Sequence, residues 1–187
     1  MKYIHMELAV PANTDACRVN IALMRNAFAA MNRGDLDACV GLLTPDFIIN
    51  LAGAPHAQSG PRAWRRNAEM LLSAFPDIQF DVEDMFAADD RVAVRLRLKG
   101  THSGEFLGNP ATGNKIEYES NELYRIADGK IAEEWICSDM LTLMSQIGAI
   151  PAKHLLVMYL AGLRVWFAAG IGLAAGVLLM LLAVGKW

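Results

Sequence analysis

The sequence predicts an α+β fold in which helices back a curved antiparallel sheet, followed by a transmembrane-like C-terminal helix. Three observations support this prediction. Helix patterns extend to about residue 75, strand patterns follow from residue 78, and the final stretch of about thirty residues is nearly all apolar. Because a strongly bent sheet backed by helices encloses a conical space, we expect a cone-shaped barrel with an interior cavity.

The helices are indicated mainly by the residues at their ends. Cap residues at positions 13–15 start a helix that ends at about Asn32. A turn around Gly34 separates it from a short second helix, and Pro61 stands at the first position of a third. The predicted helices span residues 15–32, 36–43 and 61–74, and a strand over residues 46–51 precedes the third.

The strands are indicated by alternation with a period of two residues. In residues 91–102 the even positions are apolar up to Leu98 and the odd positions are mostly basic, which is typical of a strand with one buried face. A similar alternation occupies residues 115–126, and an Asp-Gly turn follows it. The predicted strands form an antiparallel meander over residues 78–85, 91–102, 115–126 and 131–140.

Two ionisable residues lie on strand faces that should be apolar. Glu122 shares the even face of its strand with Tyr118 and Tyr124. His102 continues the even face of the preceding strand. A carboxylate on the core side of a strand costs free energy unless it is hydrogen-bonded, paired or next to a wet cavity. We therefore expect a pocket there.

Composition and motifs exclude several classes of function. The chain has 17 basic and 20 acidic residues and no basic stripe, so nucleic acid is not an expected partner. The 3 cysteines lack the spacing of a disulfide framework or a zinc site, and no metal is expected. A phosphate-binding loop, a nucleophile elbow and a dinucleotide fingerprint are not found in the sequence. The first residues contain no apolar run long enough for a signal peptide.

The C-terminal run predicts a membrane anchor. Residues 165–185 carry no charged side chain, and as a helix they would measure about 31 Å, enough to cross a bilayer core. Lys186 and Trp187 suit the membrane interface. Gly172 and Gly176 form a G-x-x-x-G pair that favours a homodimer. We expect a single-pass anchor with the domain in the cytoplasm; the alternative is a hydrophobic helix buried in an oligomer.

Four segments carry a family resemblance. Residues 100–113 read GTHSGEFLGNPATG and residues 128–135 read DGKIAEEW. MNRGDLDACVGLLTPDF precedes them at residues 31–47, and AFPDI stands at residues 74–78. Together they resemble the SnoaL-like polyketide cyclase family over about residues 15–150. The expected organisation is an N-terminal extension (1–14), a SnoaL-like cone domain (15–150) and the hydrophobic anchor (151–187).

The resemblance implies a fold, a reaction and site residues. The fold is the nuclear transport factor 2-like cone, which ketosteroid isomerases and dehydratases also use. The family's cyclases close a ring in an aromatic polyketide ester by an intramolecular aldol reaction, without metal or cofactor. Glu122 matches the acid/base position, where the family usually has Asp, and His102 is the His of the T-H-x-G motif. Asn50 matches a polar position that often faces the family's pocket.

Three further residues are candidate substrate contacts. Tyr118 lies on the same strand face as Glu122, and Trp135 and Asp139 contact the pocket if the odd face of the last strand points inward. If His102 lies opposite residue 118, its distance from Glu122 is on the order of 13 Å, so the two would bracket a flat, multi-ring ligand.

The sequence therefore predicts a membrane-anchored domain that binds a small hydrophobic carbonyl compound and acts on it by proton transfer. In this prediction Glu122 is the base and His102 an electrophile or orienting group. One alternative is a non-catalytic carrier or dimerisation module of the same fold. Another is an isomerase or dehydratase, although no second inward Asp or His partner for Glu122 is evident in the sequence.

Overall fold

The protein is described here by a computed structural model that covers residues 14–184. The chain divides into two compact units, the first ending at Ile147 and the second beginning at Gly148. The predicted N-terminal extension lies outside the described residues except for Thr14, and so does the predicted interface pair Lys186 and Trp187.

The helices begin and end close to the predicted positions, and α3 has the predicted bounds. A short helix, α4, was not anticipated; the Asp139 side chain caps it by accepting a hydrogen bond from the backbone of Thr142. The second unit contains a long helix, α5, of which residues 156–177 are long and apolar enough to span a membrane. The helices are α1 (Thr14–Asn32), α2 (Leu36–Gly41), α3 (Pro61–Ala74), α4 (Met140–Gln146) and α5 (Ala152–Val184).

Six strands form one curved sheet that is not closed into a barrel. They are β1 (Leu43–Leu51), β2 (Gln58–Ser59), β3 (Gln79–Ala88), β4 (Arg91–Thr101), β5 (Lys115–Ala127) and β6 (Lys130–Ser138), in the order β2-β1-β6-β5-β4-β3. The meander β3 to β6 is antiparallel, as predicted. β1 is parallel to β6, so the sheet is mixed. No hairpin joins these two strands, and their relative direction is set by the path of the intervening chain.

The core lies between the sheet and the helices. The even positions of β5, and those of β4 up to Leu98, are buried, as their alternation predicts. The largest fully buried side chains include Met24 of α1, Phe47 and Ile49 of β1, and Leu96 of β4. These residues fix the helices against the concave face of the sheet by removing apolar surface from water.

The opposite face of the sheet carries ion pairs. Arg97 of β4 contacts Glu83 of β3 and, at 3.0 and 3.3 Å, Glu117 and Glu119 of β5. All of these side chains are partly exposed. The basic odd positions of β4 are therefore the solvated face of the strand and do not form a binding stripe.

A β-bulge next to the hairpin between β5 and β6 reverses the faces of β6. Ile126 pairs with Ile131 whereas Arg125 pairs with Glu133, so Ala132 is an extra residue in β6. Ile131 and Ala132 are both buried. Because side chains alternate along a strand, one extra residue moves the following side chains to the opposite face. Beyond Ala132 the even positions of β6 point into the fold.

Candidate functional site

An apolar cavity of about 600 Å³ lies between the helices and the concave face of the sheet. Met24 and Phe28 of α1, Leu71 of α3 and Ile49 of β1 are among the apolar side chains that line it. Its lining also includes exposed residues, among them Ala54, Met70 and Leu107, which indicate where it opens. Its volume is in the range of small-molecule sites.

Polar side chains of the lining concentrate on two neighbouring strands. β5 contributes Tyr118, Glu122 and Tyr124, and β6 contributes Glu134 and Ser138. The alternation of β5 places its three residues on one face, and the bulge in β6 turns the other two toward them. The cavity therefore has an apolar body with one polar wall.

Glu122 is a buried carboxylate with two hydrogen bonds. Its side chain is 9% exposed. One oxygen accepts from the Ser120 hydroxyl at 3.0 Å, and the other accepts from the Tyr124 hydroxyl. Burial raises the pKa of Glu122, and the hydrogen bonds from Tyr124 and Ser120 act in the opposite direction. Burial is the larger effect, so the pKa of Glu122 lies above its ordinary value.

Glu134 is a second buried carboxyl group on the same wall. Its Oε1 lies 3.0 Å from the Tyr124 hydroxyl, and its Oε2 has no hydrogen-bond partner among the described residues. Burial and the charge of Glu122 raise the pKa of Glu134 to about 8. The side chains of Tyr124 and Trp64 both lower the pKa of Glu134. Trp64 nevertheless makes no hydrogen bond to Oε2.

The two tyrosines of this wall differ in their partners. Burial, together with the charges of Glu122 and Glu134, raises the pKa of Tyr124 well above its ordinary value, so its hydroxyl keeps its proton. Tyr118 also has a raised pKa, from burial and from Glu122. Its hydroxyl makes no hydrogen bond within the described part of the chain and is free to donate to a ligand.

His102 is buried away from the cavity lining. Its Nδ1 lies 3.0 Å from the Thr112 hydroxyl, and its ring packs 5.4 Å from that of Phe75. Its backbone N–H donates to Asn114, so His102 lies opposite residue 114 and not 118. Glu122 is eight residues further along the chain than Asn114, which corresponds to about 26 Å of extended strand. The expected spacing of 13 Å was wrong, and the two residues do not bracket the cavity.

Asn50, Trp135 and Asp139 also lie outside the cavity lining, contrary to the expectation that they face it. Asn50 and Trp135 border a shallow depression on the other side of the sheet, where the Arg91 guanidinium lies 5.1 Å from the Trp135 ring centroid. Asn50 donates to the backbone carbonyl of Glu134 at 3.3 Å. Asp139 is exposed and caps α4. For Trp135 and Asp139 the cause is the bulge at Ala132, which turns the odd face of β6 outward.

Among the predicted site residues, the structure therefore brings only Glu122 and Tyr118 to the cavity. The sequence reasoning missed Glu134, because uninterrupted alternation from Ile131 places it outside. The adjacent apolar pair Ile131 and Ala132, directly after an Asp-Gly turn, was the available signal of a bulge. Within residues 14–184, no group of three or more His, Cys, Asp or Glu side chains is placed to hold a metal ion.

The curved, unclosed sheet backed by helices places the first unit in the nuclear transport factor 2-like class of cone folds. Solved structures with this fold include AclR from Streptomyces galilaeus, which is 32% identical, with a TM-score of 0.67 over 72% of this chain and 99% of that one. IdmH from Streptomyces antibioticus is 33% identical, with a TM-score of 0.60 over 69% and 98%.

The chain belongs to the SnoaL-like polyketide cyclase family, whose model matches residues 21–147. Among curated proteins, it is 30% identical over 132 residues to the aklanonic acid methyl ester cyclase DauD of Streptomyces sp. (strain C5), covering 68% of this chain and 81% of that one. The same identity holds for the aklanonic acid methyl ester cyclase DnrD of Streptomyces peucetius, of which 90% is covered. The helix α5 lies outside the matched residues.

Proposed function

We propose that this protein closes a ring in an aromatic polyketide ester, or a similar hydrophobic carbonyl compound, by acid/base catalysis in the cavity. The observation that carries the proposal is the buried, hydrogen-bonded Glu122 on the polar wall of an otherwise apolar cavity. Membership of a family that includes two ester cyclases supports the same reaction class.

The residues of the wall supply the groups that an intramolecular aldol reaction requires. Glu122 removes a proton from the carbon next to a carbonyl group, and the free Tyr118 hydroxyl donates a hydrogen bond to the enolate oxygen that forms. The enolate carbon then attacks a second carbonyl carbon of the same molecule, and the oxygen of that carbonyl takes up the proton that Glu122 removed, which regenerates the base. The product is therefore an isomer of the substrate, and the apolar lining keeps water from the enolate.

The direct test is incubation of the full-length protein with aklanonic acid methyl ester, followed by chromatography and mass spectrometry. We expect a product of unchanged mass and different retention. As a control, Ala54→Trp should reduce turnover at least several-fold, because Ala54 lines the cavity opening and is exposed, so the larger side chain blocks entry with little cost to folding. Equal turnover by both proteins would contradict catalysis inside the cavity.

The second candidate function is non-catalytic ligand binding by the same cavity. One observation favours it: both oxygens of Glu122 already accept hydrogen bonds from side chains of the protein. A carboxylate satisfied in this way can have a purely structural role. Binding of the ester by the wild-type protein without turnover would favour this candidate over the cyclase.

We also propose that α5 anchors the protein in a membrane, with the first unit in the cytoplasm. The length and composition of residues 156–177 support the proposal. The full-length protein is expected in carbonate-washed membranes. The double variant Leu173→Arg/Val177→Arg should move it to the soluble fraction, since each central arginine costs about 2.5–3.5 kcal/mol. The matched variant Ala149→Arg/Ile150→Arg, which places the same charges before α5, should stay membrane-bound. Retention of the first variant in the membrane would contradict the proposal.

A further inference from the structure

One hydroxyl proton lies between two buried carboxyl groups. The Tyr124 hydroxyl is within hydrogen-bonding distance of both Glu122 and Glu134, yet it has a single hydrogen to donate. If both carboxyl groups were ionised, the second contact would place two acceptor oxygens against each other. Both contacts are hydrogen bonds only if one carboxyl group is protonated and donates to the phenol oxygen.

The hydrogen bonds identify which carboxyl group holds that proton. Glu122 accepts from Tyr124 and from Ser120, whose hydroxyl also lies 2.9 Å from that of Ser138. Two donors stabilise the ionised form of Glu122. Glu134 lies at hydrogen-bond distance from the Tyr124 hydroxyl, and Trp64 also lowers its pKa but leaves Oε2 without a hydrogen-bond partner among the described residues. The consistent arrangement is a Glu134 O–H donating to the Tyr124 oxygen, and the Tyr124 O–H donating to ionised Glu122.

No cation among the described residues compensates a second negative charge at this wall. The cavity lining comes from α1, α2, α3, α4, β1, β3, β4, β5, β6 and the adjoining loops, and it contains no Lys, Arg or His. Its other ionisable groups are Tyr118 on β5 and Cys39 on α2, and the pKa of each is raised by burial. Two adjacent carboxylates would therefore repel each other in a medium of low polarity.

We propose that Glu134 is a positioning residue that acts through Tyr124, holding the single proton of the carboxyl pair so that Glu122 stays ionised as the base. While Glu134 is protonated, it orients the Tyr124 hydroxyl toward Glu122. When Glu134 loses this proton, the wall carries two negative charges beside the carbon where an enolate must develop. The kinetic part of this inference rests on the proposed function, whereas the proton itself is measurable without any substrate.

The substrate-independent test is an infrared titration of the full-length protein between about pH 5 and pH 10. We expect the carbonyl band of one protonated, buried carboxyl group to disappear near pH 8. The transition near pH 8 should be absent from Glu134→Gln. In Glu122→Gln the band should remain and titrate at lower pH, because the neighbouring negative charge is gone. A band that persists in Glu134→Gln and disappears in Glu122→Gln would overturn the assignment.

The kinetic test compares two substitutions of Glu134. In Glu134→Gln the side-chain amide still donates to Tyr124 and cannot ionise, so activity at pH 7 should stay within a few-fold of wild type and the loss of activity near pH 8 should vanish. Glu134→Leu cannot donate and should lower kcat at every pH with little effect on KM. A merely structural role would leave the shape of the pH profile unchanged in both. If neither variant folds, the infrared titration of the wild-type protein decides. The proposal is refuted if no carboxyl group of that protein loses a proton above pH 7.

Discussion

Replacing Glu122 by Gln is expected to lower kcat for ring closure by about 10²- to 10⁴-fold, the usual contribution of a positioned base. The amide has nearly the same volume and can still accept a hydrogen bond, but it cannot take a proton from carbon. Because the apolar body of the cavity is untouched, the affinity for the ester should change by no more than a few-fold. Single-turnover kinetics and a separate binding titration would measure the two effects.

Glu119→Gln is the matched control for this substitution. Glu119 lies on the same strand but points to the other face, where it is exposed and contacts Arg97 at 3.3 Å. Exposed ion pairs contribute little to stability, so this variant should have wild-type activity and stability. If Glu122→Gln also retained wild-type turnover, the base would have to be another residue, and the ligand-binding function would become the stronger candidate.

Gly104→Ala is expected to destabilise the first unit by about 1–3 kcal/mol, the usual range for extra atoms forced into packed structure. A Cβ atom at this position would lie 2.2 Å from the backbone oxygen of Ser73, which cannot move without disturbing α3. The backbone N–H groups of Ser103 and Gly104 both donate to the Ala74 carbonyl, at 2.9 and 3.0 Å, and these bonds would be lost or stretched.

The same substitution should weaken ligand binding, because the displaced loop carries Phe106. This ring lines the cavity and packs 5.2 Å from that of Phe75. Gly41→Ala is the control, since a Cβ there meets no heavy atom within 4 Å, and alanine is favoured over glycine in a helix. Thermal unfolding and ligand titration of both variants would check the prediction. Equal melting temperatures would show that the loop relaxes at no cost.

The burial of Glu122 and Tyr118 was predictable because it depends on local alternation. Along β5 the even positions from Ile116 to Ile126 are all buried, which is the pattern the sequence shows. The bounds of α3 were predictable for a similar reason, since Pro61 and the Phe75-Pro76 pair mark its two ends. These features arise from interactions between residues close together in the chain.

The partner of Glu122 was not predictable in this way. Uninterrupted alternation from Ile131 puts Trp135 inside and Glu134 outside, and the bulge at Ala132 exchanges them. The location of His102 also depends on strand register. Because Thr101 pairs with Lys115, His102 lies beyond the end of β5 that is distant from Glu122. A change of register by one residue costs little locally, yet it decides which side chains reach the cavity.

By itself, the sequence determined the family, the first three helices and the antiparallel meander, the burial of Glu122 and a C-terminal helix apolar enough to span a membrane. These depend on composition, motifs and short-range periodicity. The tertiary structure alone decided that β1 joins β6 in parallel, that Glu134 faces Glu122 across the Tyr124 hydroxyl, and that His102 lies outside the cavity lining. Those outcomes depend on how strands distant in the chain pair, and the free energy that selects one pairing comes from the packing of the whole core.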